Sequence, residues 1–183
     1  MDAAIVGVIG TILGTILGWF LNSLSNKGKL KLYITSWEDD FQYLDEIGCA
    51  VPSNSIEQTE FYSYKLSLDI YNSSGEQKIM RNIAIIFNDG KSDLYKSIPQ
   101  DIGSRRISGS VAVYDNVLPL NIPPKTVVHI ELLNTNHGHE LDYIWNTKRI
   151  GLTYTDTKGK DKRVIIKSED YANYFNKCSL KNS

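Results

Sequence analysis

Cysteine is nearly absent from this 183-residue chain. Cys49 and Cys178 stand far apart, with no CxxC and no Cys/His spacing of a zinc site. A disulfide-stapled scaffold is thereby set aside, one bridge at most is possible, and the usage fits a reducing compartment. Charge of one sign is missing as well. Twenty basic residues face 21 acidic ones for a net charge of -1, so no global electrostatic grip on nucleic acid or anionic lipid is indicated. Catalytic signatures are also missing. There is no GxSxG elbow, neither cysteine has a histidine at a recognised spacing, and Gly159-Lys160 lacks the GxxxxGK[ST] frame of a P-loop. The chain therefore reads as a binder rather than an enzyme, with no cofactor. No internal repeat or low-complexity tract divides it.

What is present begins at the N-terminus. From Ala3 to Asn26 no residue is charged, and the strongly apolar part, Ala3 to Leu21, would span about 28 Å as a helix at ~1.5 Å per residue. That nearly matches a hydrocarbon core of ~30 Å. A cleaved secretory signal is the rival, but Asp2 stands where a basic residue belongs, the apolar run is long, and no small-x-small cleavage site follows. The expectation is a retained transmembrane helix over 1–26. Lys27, Lys29 and Lys31 flank its C-terminal end, which predicts an outside N-terminus and a cytoplasmic domain in a single-pass cell-membrane protein. Trp19 and Phe20 lie near that inner end, where aromatic rings favour the interface.

Gly7, Gly10, Thr11, Gly14, Thr15, Gly18, Asn22 and Ser25 fall within an arc of roughly 140° on a helical wheel, while Ile5, Ile9, Ile12, Leu13, Ile16, Trp19 and Phe20 cover the other side. Gly10, Gly14 and Gly18 repeat the small-xxx-small spacing of a glycine zipper. In lipid, apolar surface gives helices no reason to associate, whereas close backbone approach and hydroxyl hydrogen bonds do. A homo-oligomer formed through Gly7, Gly10, Thr11, Gly14, Thr15 and Gly18 is the prediction.

Roughly 155 residues remain, which suits one domain (29–183) able to bury its own core. Eleven tyrosines and many β-branched residues favour strands. Only Asn26, Lys27 and Gly28 separate the apolar segment from a strand over Leu30–Trp37, so the domain should sit close to the membrane. Residues 38–59 lose the alternation and read as an excursion, with a helical turn possible around Phe41, Leu44 and Ile47. Strands follow at Phe61–Tyr71, with Tyr62, Tyr64, Leu66, Leu68 and Ile70 on one face, and at Ile79–Phe87, Leu94–Ile98, Val111–Tyr114, Val117–Leu120 and Val127–Leu133. Ile150–Tyr154 and Val164–Lys167 form a hairpin, and Ser168-Glu169-Asp170 caps a short final helix with Tyr171, Tyr174, Phe175 and Cys178 on one face. About seven to nine short strands without intervening amphipathic helices predict an antiparallel immunoglobulin-like β-sandwich, with a closed barrel as the alternative. The Cys…Trp…Cys hallmark of antibody domains is absent.

Five groups are candidate chemistry. His137, His139, Glu140 and Asp142 offer imidazoles and carboxylates, but from one Gly-containing loop that lacks the rigid frame a metal needs, so a solvated loop is expected and His129 stays apart in its strand. Glu38-Asp39-Asp40, with Asp45 and Glu46, lacks EF-hand spacing and reads as an exposed polar loop. Arg105 and Arg106, in a flexible Gly/Ser segment over 103–110, would suit a small anionic ligand. Lys158, Lys160, Lys162 and Arg163 decorate a hairpin turn, as a solubilising tip or, if the turn points at the membrane, a contact with anionic lipid. The tyrosine stripe at Tyr62 and Tyr64 reads as core. Asn72-Ser73-Ser74 is formally a glycosylation sequon without meaning in a cytoplasmic domain. The leading functional expectation is a membrane-anchored, self-associating adaptor or sensor for a cytoplasmic partner, contacting it through sheet edges or the 38–59 and 103–110 segments. A pore-forming effector triggered through the β domain is the second, motivated by the short linker, and a membrane-bound enzyme the third.

Overall fold

The computed structural model describes residues 3–179, with side chains described except at 3–4, 139–140 and 176–179. Helix α1 (Ala3–Asn26) projects from the sandwich with its apolar side chains uncovered, Trp19 being 71% exposed and Leu13 60%. It is long and apolar enough to cross a membrane. The Thr11 and Thr15 hydroxyls donate back to the carbonyls of Gly7 and Thr11, one turn earlier. An i→i−3 bond from Lys27 N to the Leu24 carbonyl closes the helix.

The β domain is an antiparallel sandwich. One sheet has the order β2-β1-β3-β9-β6-β7, from β1 (Leu30–Leu44), β2 (Ala50–Pro52), β3 (Phe61–Asn72), β6 (Gln100–Ser108), β7 (Val111–Asn116) and β9 (Val127–His137). The other has the order β11-β10-β4-β5, from β4 (Lys78–Asn88), β5 (Asp93–Ser97), β10 (Arg149–Thr155) and β11 (Asp161–Ser168); β8 (Leu120–Ile122) pairs with the start of β4. The sheets keep open edges, so the barrel alternative falls. Side chains on alternate positions of β3, from Tyr62 to Ile70, meet Met80, Ile85 and Phe87 of β4 and Ile150 and Leu152 of β10, all essentially without solvent contact. Each such burial contributes about 1.5–3 kcal/mol. A 3-10 turn (Gly138–Leu141), α2 (Asp142–Trp145) and α3 (Tyr171–Ser179) close the end farthest from α1, where Phe41, Trp145 and Phe175 pack ring on ring.

Three expectations are overturned, the first being the strand over Val117–Leu120, which begins only at Leu120 and runs to Ile122 as β8. The first part of the 38–59 excursion is strand, because β1 runs on to Leu44 and turns back through β2. The register shift between Ile34 and Ser36 is the reason. A β-bulge inserts one residue and switches which parity faces inward, from Leu30, Leu32 and Ile34 to Trp37, Asp39 and Phe41. The 103–110 loop is likewise the β6–β7 hairpin, turning at Gly109 with φ +64°.

Candidate functional site

The bulge delivers Asp39 into the sandwich, so the acidic run is not an exposed polar loop. Its carboxylate side chain is 1% exposed. Oδ1 accepts from Trp37 Nε1 at 2.8 Å, the Tyr62 hydroxyl at 2.7 Å and the Tyr171 hydroxyl at 3.0 Å, while Oδ2 meets Lys167 Nζ at 3.1 Å. The Lys167 ammonium in turn lies 3.3 Å from the Tyr174 ring centroid. One carboxylate thus ties β1, β3, β11 and α3 together. Its hydrogen-bonding capacity is consumed by the protein, which makes it a structural latch. Burial first, and the neighbouring Asp39 charge second, push the Tyr62 and Tyr171 hydroxyls well above their ordinary range; burial does the same for Tyr64. In the unfolded chain these phenols ionise near pH ~10. The folded state holds its protons longer, so stability is level below that pH and falls above it by about 1.4 kcal/mol per pH unit for each of the three. An alkaline titration followed at the tyrosinate absorbance should show these phenols ionising late and together with unfolding.

At the opposite end, the turn after β3 joins helix to sandwich. Asn72 is fully buried; its Nδ2 lies within hydrogen-bond distance of the Glu76, Ile122 and Pro123 carbonyls, and its Oδ1 accepts from Ser74 N and Oγ. The sequon is therefore closed by burial. From this anchored turn, Ser73 exchanges bonds with Lys29: Lys29 N donates to Ser73 Oγ at 2.9 Å, and Ser73 N and Oγ donate to the Lys29 carbonyl at 3.1 and 2.8 Å. Gly75 N donates to the Ser25 carbonyl in the last turn of α1 at 2.9 Å. A Cβ on Gly28 would stand 2.3 Å from the Ser73 carbonyl, so that glycine allows backbone to meet backbone, while one on Gly75 would stand 2.6 Å from the Ser25 side-chain Oγ. The short linker expected from the sequence is a hydrogen-bonded joint.

Beside the joint lies a cleft of about 560 Å³ between the end of α1 and the β10–β11 turn. Lys27, Lys29, Lys78, Lys158, Lys160 and Lys162 line it, against Glu76 and Asp156. Asp156 accepts from the backbone N–H of Lys160 and Lys158, which hold its carboxyl below the usual carboxylate range, and Thr157 Oγ1 accepts from Ile79 N, fixing the turn to β4. A second concavity of about 700 Å³ lies over β4, β5, β10 and β11, lined by Ala84, Ile86 and Ile98. The neighbouring Leu118 is 72% exposed.

The other candidates do not converge. His137 ends β9, exposed, beside the Phe61 ring, and Asp142 opens α2, exposed; the side chains of His139 and Glu140 lie outside the described residues. Among the described residues no three His, Cys, Asp or Glu side chains gather as metal ligands. His129 pairs with Asp69 on the outer sheet face. Arg105 and Arg106 are neighbours on a strand, where successive side chains leave opposite faces, and Arg106 is bound by Asp115. Solvent screens that exposed ion pair, which adds little to stability. The Cys178 side chain lies outside the described residues, while Tyr171 and Phe175 are buried as the helical face requires.

Comparison with known proteins adds three findings. Residues 28–167 match the YopI Ig-like domain. The SPbeta prophage-derived uncharacterized protein YopI of Bacillus subtilis (strain 168) is 26% identical over 166 residues, covering 87% of this chain and 92% of that one. The crystal structure of an uncharacterized β-sandwich protein of Clostridium difficile 630 aligns at 19% identity and a TM-score of 0.35, covering 76% of this chain and 86% of that one.

Proposed function

This chain belongs to the YopI Ig-like domain family, and from that premise we propose a single-pass, self-associating membrane protein whose sandwich serves as adaptor or sensor for a cytoplasmic partner. The uncovered apolar surface of α1 carries the reading. A helix of 24 residues with its Ile, Leu, Val, Trp and Phe side chains open is unfavourable in water, and among the described residues nothing in the sandwich covers that apolar surface. A bilayer supplies the missing apolar contact. The lysines around the helix exit favour the cytoplasmic side for the domain. The open groove lined by Ala84, Ile86 and Ile98 offers a partner surface on a rigid scaffold.

Within the membrane, Gly7, Gly10, Gly14 and Gly18 leave open space for the close approach of a second helix backbone, since beyond the helix's own adjacent backbone a Cβ at any of them would meet no described atom within 4 Å. The full chain expressed in a bacterial membrane should resist alkaline carbonate and crosslink as an oligomer. Gly14→Leu should leave extraction unchanged and lower the crosslinked fraction about tenfold, the equivalent of ~1.4 kcal/mol of packing. Release by carbonate, or a mature chain whose intact mass lacks the first 25 residues, defeats the anchoring. Undiminished crosslinking of Gly14→Leu defeats the self-association alone.

A further inference from the structure

We propose that the lysine-lined cleft at the helix–sandwich joint is a binding site for the phosphodiester headgroups of anionic lipids, drawn from the leaflet through which α1 leaves the membrane. The inference rests on the anchoring reading and deepens it by naming what the membrane-proximal face touches. Three observations carry it. The first is position: the cleft is lined by Asn26, Lys27, Gly28 and Lys29, the residues that end the apolar helix, so it opens where headgroups begin. The second is charge. Six ammoniums face two carboxylates; Glu76 pairs with Lys78 at 3.8 Å and Asp156 with Lys162 at 3.9 Å, which leaves an excess of four positive charges. Among the described residues Lys27, Lys29, Lys158 and Lys160 have no ion pair. Like charges gathered this closely repel unless an anion sits among them.

The third is rigidity. The β10–β11 turn is held to Asp156 through the Lys158 and Lys160 amides and to β4 through Thr157, while Ser73 and Gly75 hold the helix end. Lysines contributed by separate parts of the fold are thereby presented as one fixed face instead of a flexible basic tail. Attraction to an anionic surface decays within a Debye length of ~8 Å, a reach that a domain on a long tether would leave and this one does not.

The test reconstitutes the full chain in vesicles of phosphatidylcholine alone and of phosphatidylcholine mixed with phosphatidylglycerol, then pulses with an amine-acylating reagent and reads each lysine by mass spectrometry. Labelling of Lys158, Lys160 and Lys162 should fall at least severalfold in the anionic vesicles. Exposed Lys91 and Lys148, at the far end of the sandwich, should label equally in both. Phosphatidylglycerol should also be enriched among lipids that copurify with the chain, an enrichment lost in K158Q/K160Q/K162Q. Equal labelling in the two bilayers, with the protein still pelleting with the vesicles, overturns the lipid site and leaves the anchor standing. Equal protection by inorganic phosphate in phosphatidylcholine vesicles assigns the cleft to a soluble anion and overturns it too. A chain that carbonate strips from the vesicles ends both readings.

Discussion

Asp39→Ala should destabilise the sandwich by about 3 kcal/mol, lowering the thermal midpoint by roughly 6–12 °C, whereas Asp40→Ala, one residue along, should shift it by less than ~1 °C. The contrast follows from burial. Asp40 is exposed and, among the described residues, its carboxylate accepts from Gln42, but Asp39 satisfies an indole, two phenols and an ammonium at once. Removing it takes the acceptor from the buried Tyr62 and Tyr171 hydroxyls and leaves Lys167, only 19% exposed, with Glu169 as its ion-pair partner. Asp39→Asn keeps the shape but loses the charge, and should fall between the two. Melting curves by circular dichroism in detergent, read for all three variants, decide the matter. A midpoint for Asp39→Ala equal to that of Asp40→Ala would mean that Asp39 latches nothing.

Gly28→Val should break the joint without unfolding the domain. The new Cβ would lie 2.3 Å from the Ser73 carbonyl and the Ser74 nitrogen, both backbone, and that turn is pinned by Asn72. The helix end must give way, at about 2–3 kcal/mol of local strain. The consequence to measure is hydrogen exchange at the Lys29, Ser73 and Gly75 amides, which should quicken by roughly a hundredfold. Core amides of β3 and β4 should be unaffected. Exchange at the three joint amides as slow as in the parent chain would show that the contact tolerates a side chain.

The parts of the fold legible in the sequence were those with unbroken period. β3 keeps Tyr62 through Ile70 on one side without interruption, and the β10–β11 hairpin brackets the turn residues Asp156 and Gly159, so both stand close to their expected bounds. β1 was legible only to Trp37, because the bulge beside Thr35 moves the inward positions from even to odd numbers and makes a continuing strand look like loss of pattern. Asp39 was hidden by the same shift, since an acidic triplet is ordinarily solvated and only the inverted parity turns its middle member inward. The β6–β7 hairpin was obscured by Gly103, Ser104, Ser108 and Gly109, whose composition suggests a loop while the strand pairing is supplied by the backbone. Net charge concealed the lysine cleft for another reason. A total of -1 averages over opposite ends, and the lysines come from segments as far apart in sequence as 27 and 162. The turn at Lys158–Lys162 was visible as a basic tip; that it lies beside the helix exit required the pairing of β4 with β10 and of β10 with β11.

The bonds between Ser25 and Gly75 and between Lys29 and Ser73 also restrict how the two halves of the molecule can turn. A helix gripped in this way has no swivel, so spinning it about its long axis spins the sandwich through the same angle. The compass heading of each groove is then set by whichever side of the helix meets its neighbour. Adding a single alanine inside the helix after Leu21, between its glycine stripe and the joint, would advance that heading by about 100°, and two copies joined at their helices would present their outer faces in a new mutual direction while every contact inside each sandwich stayed as it was.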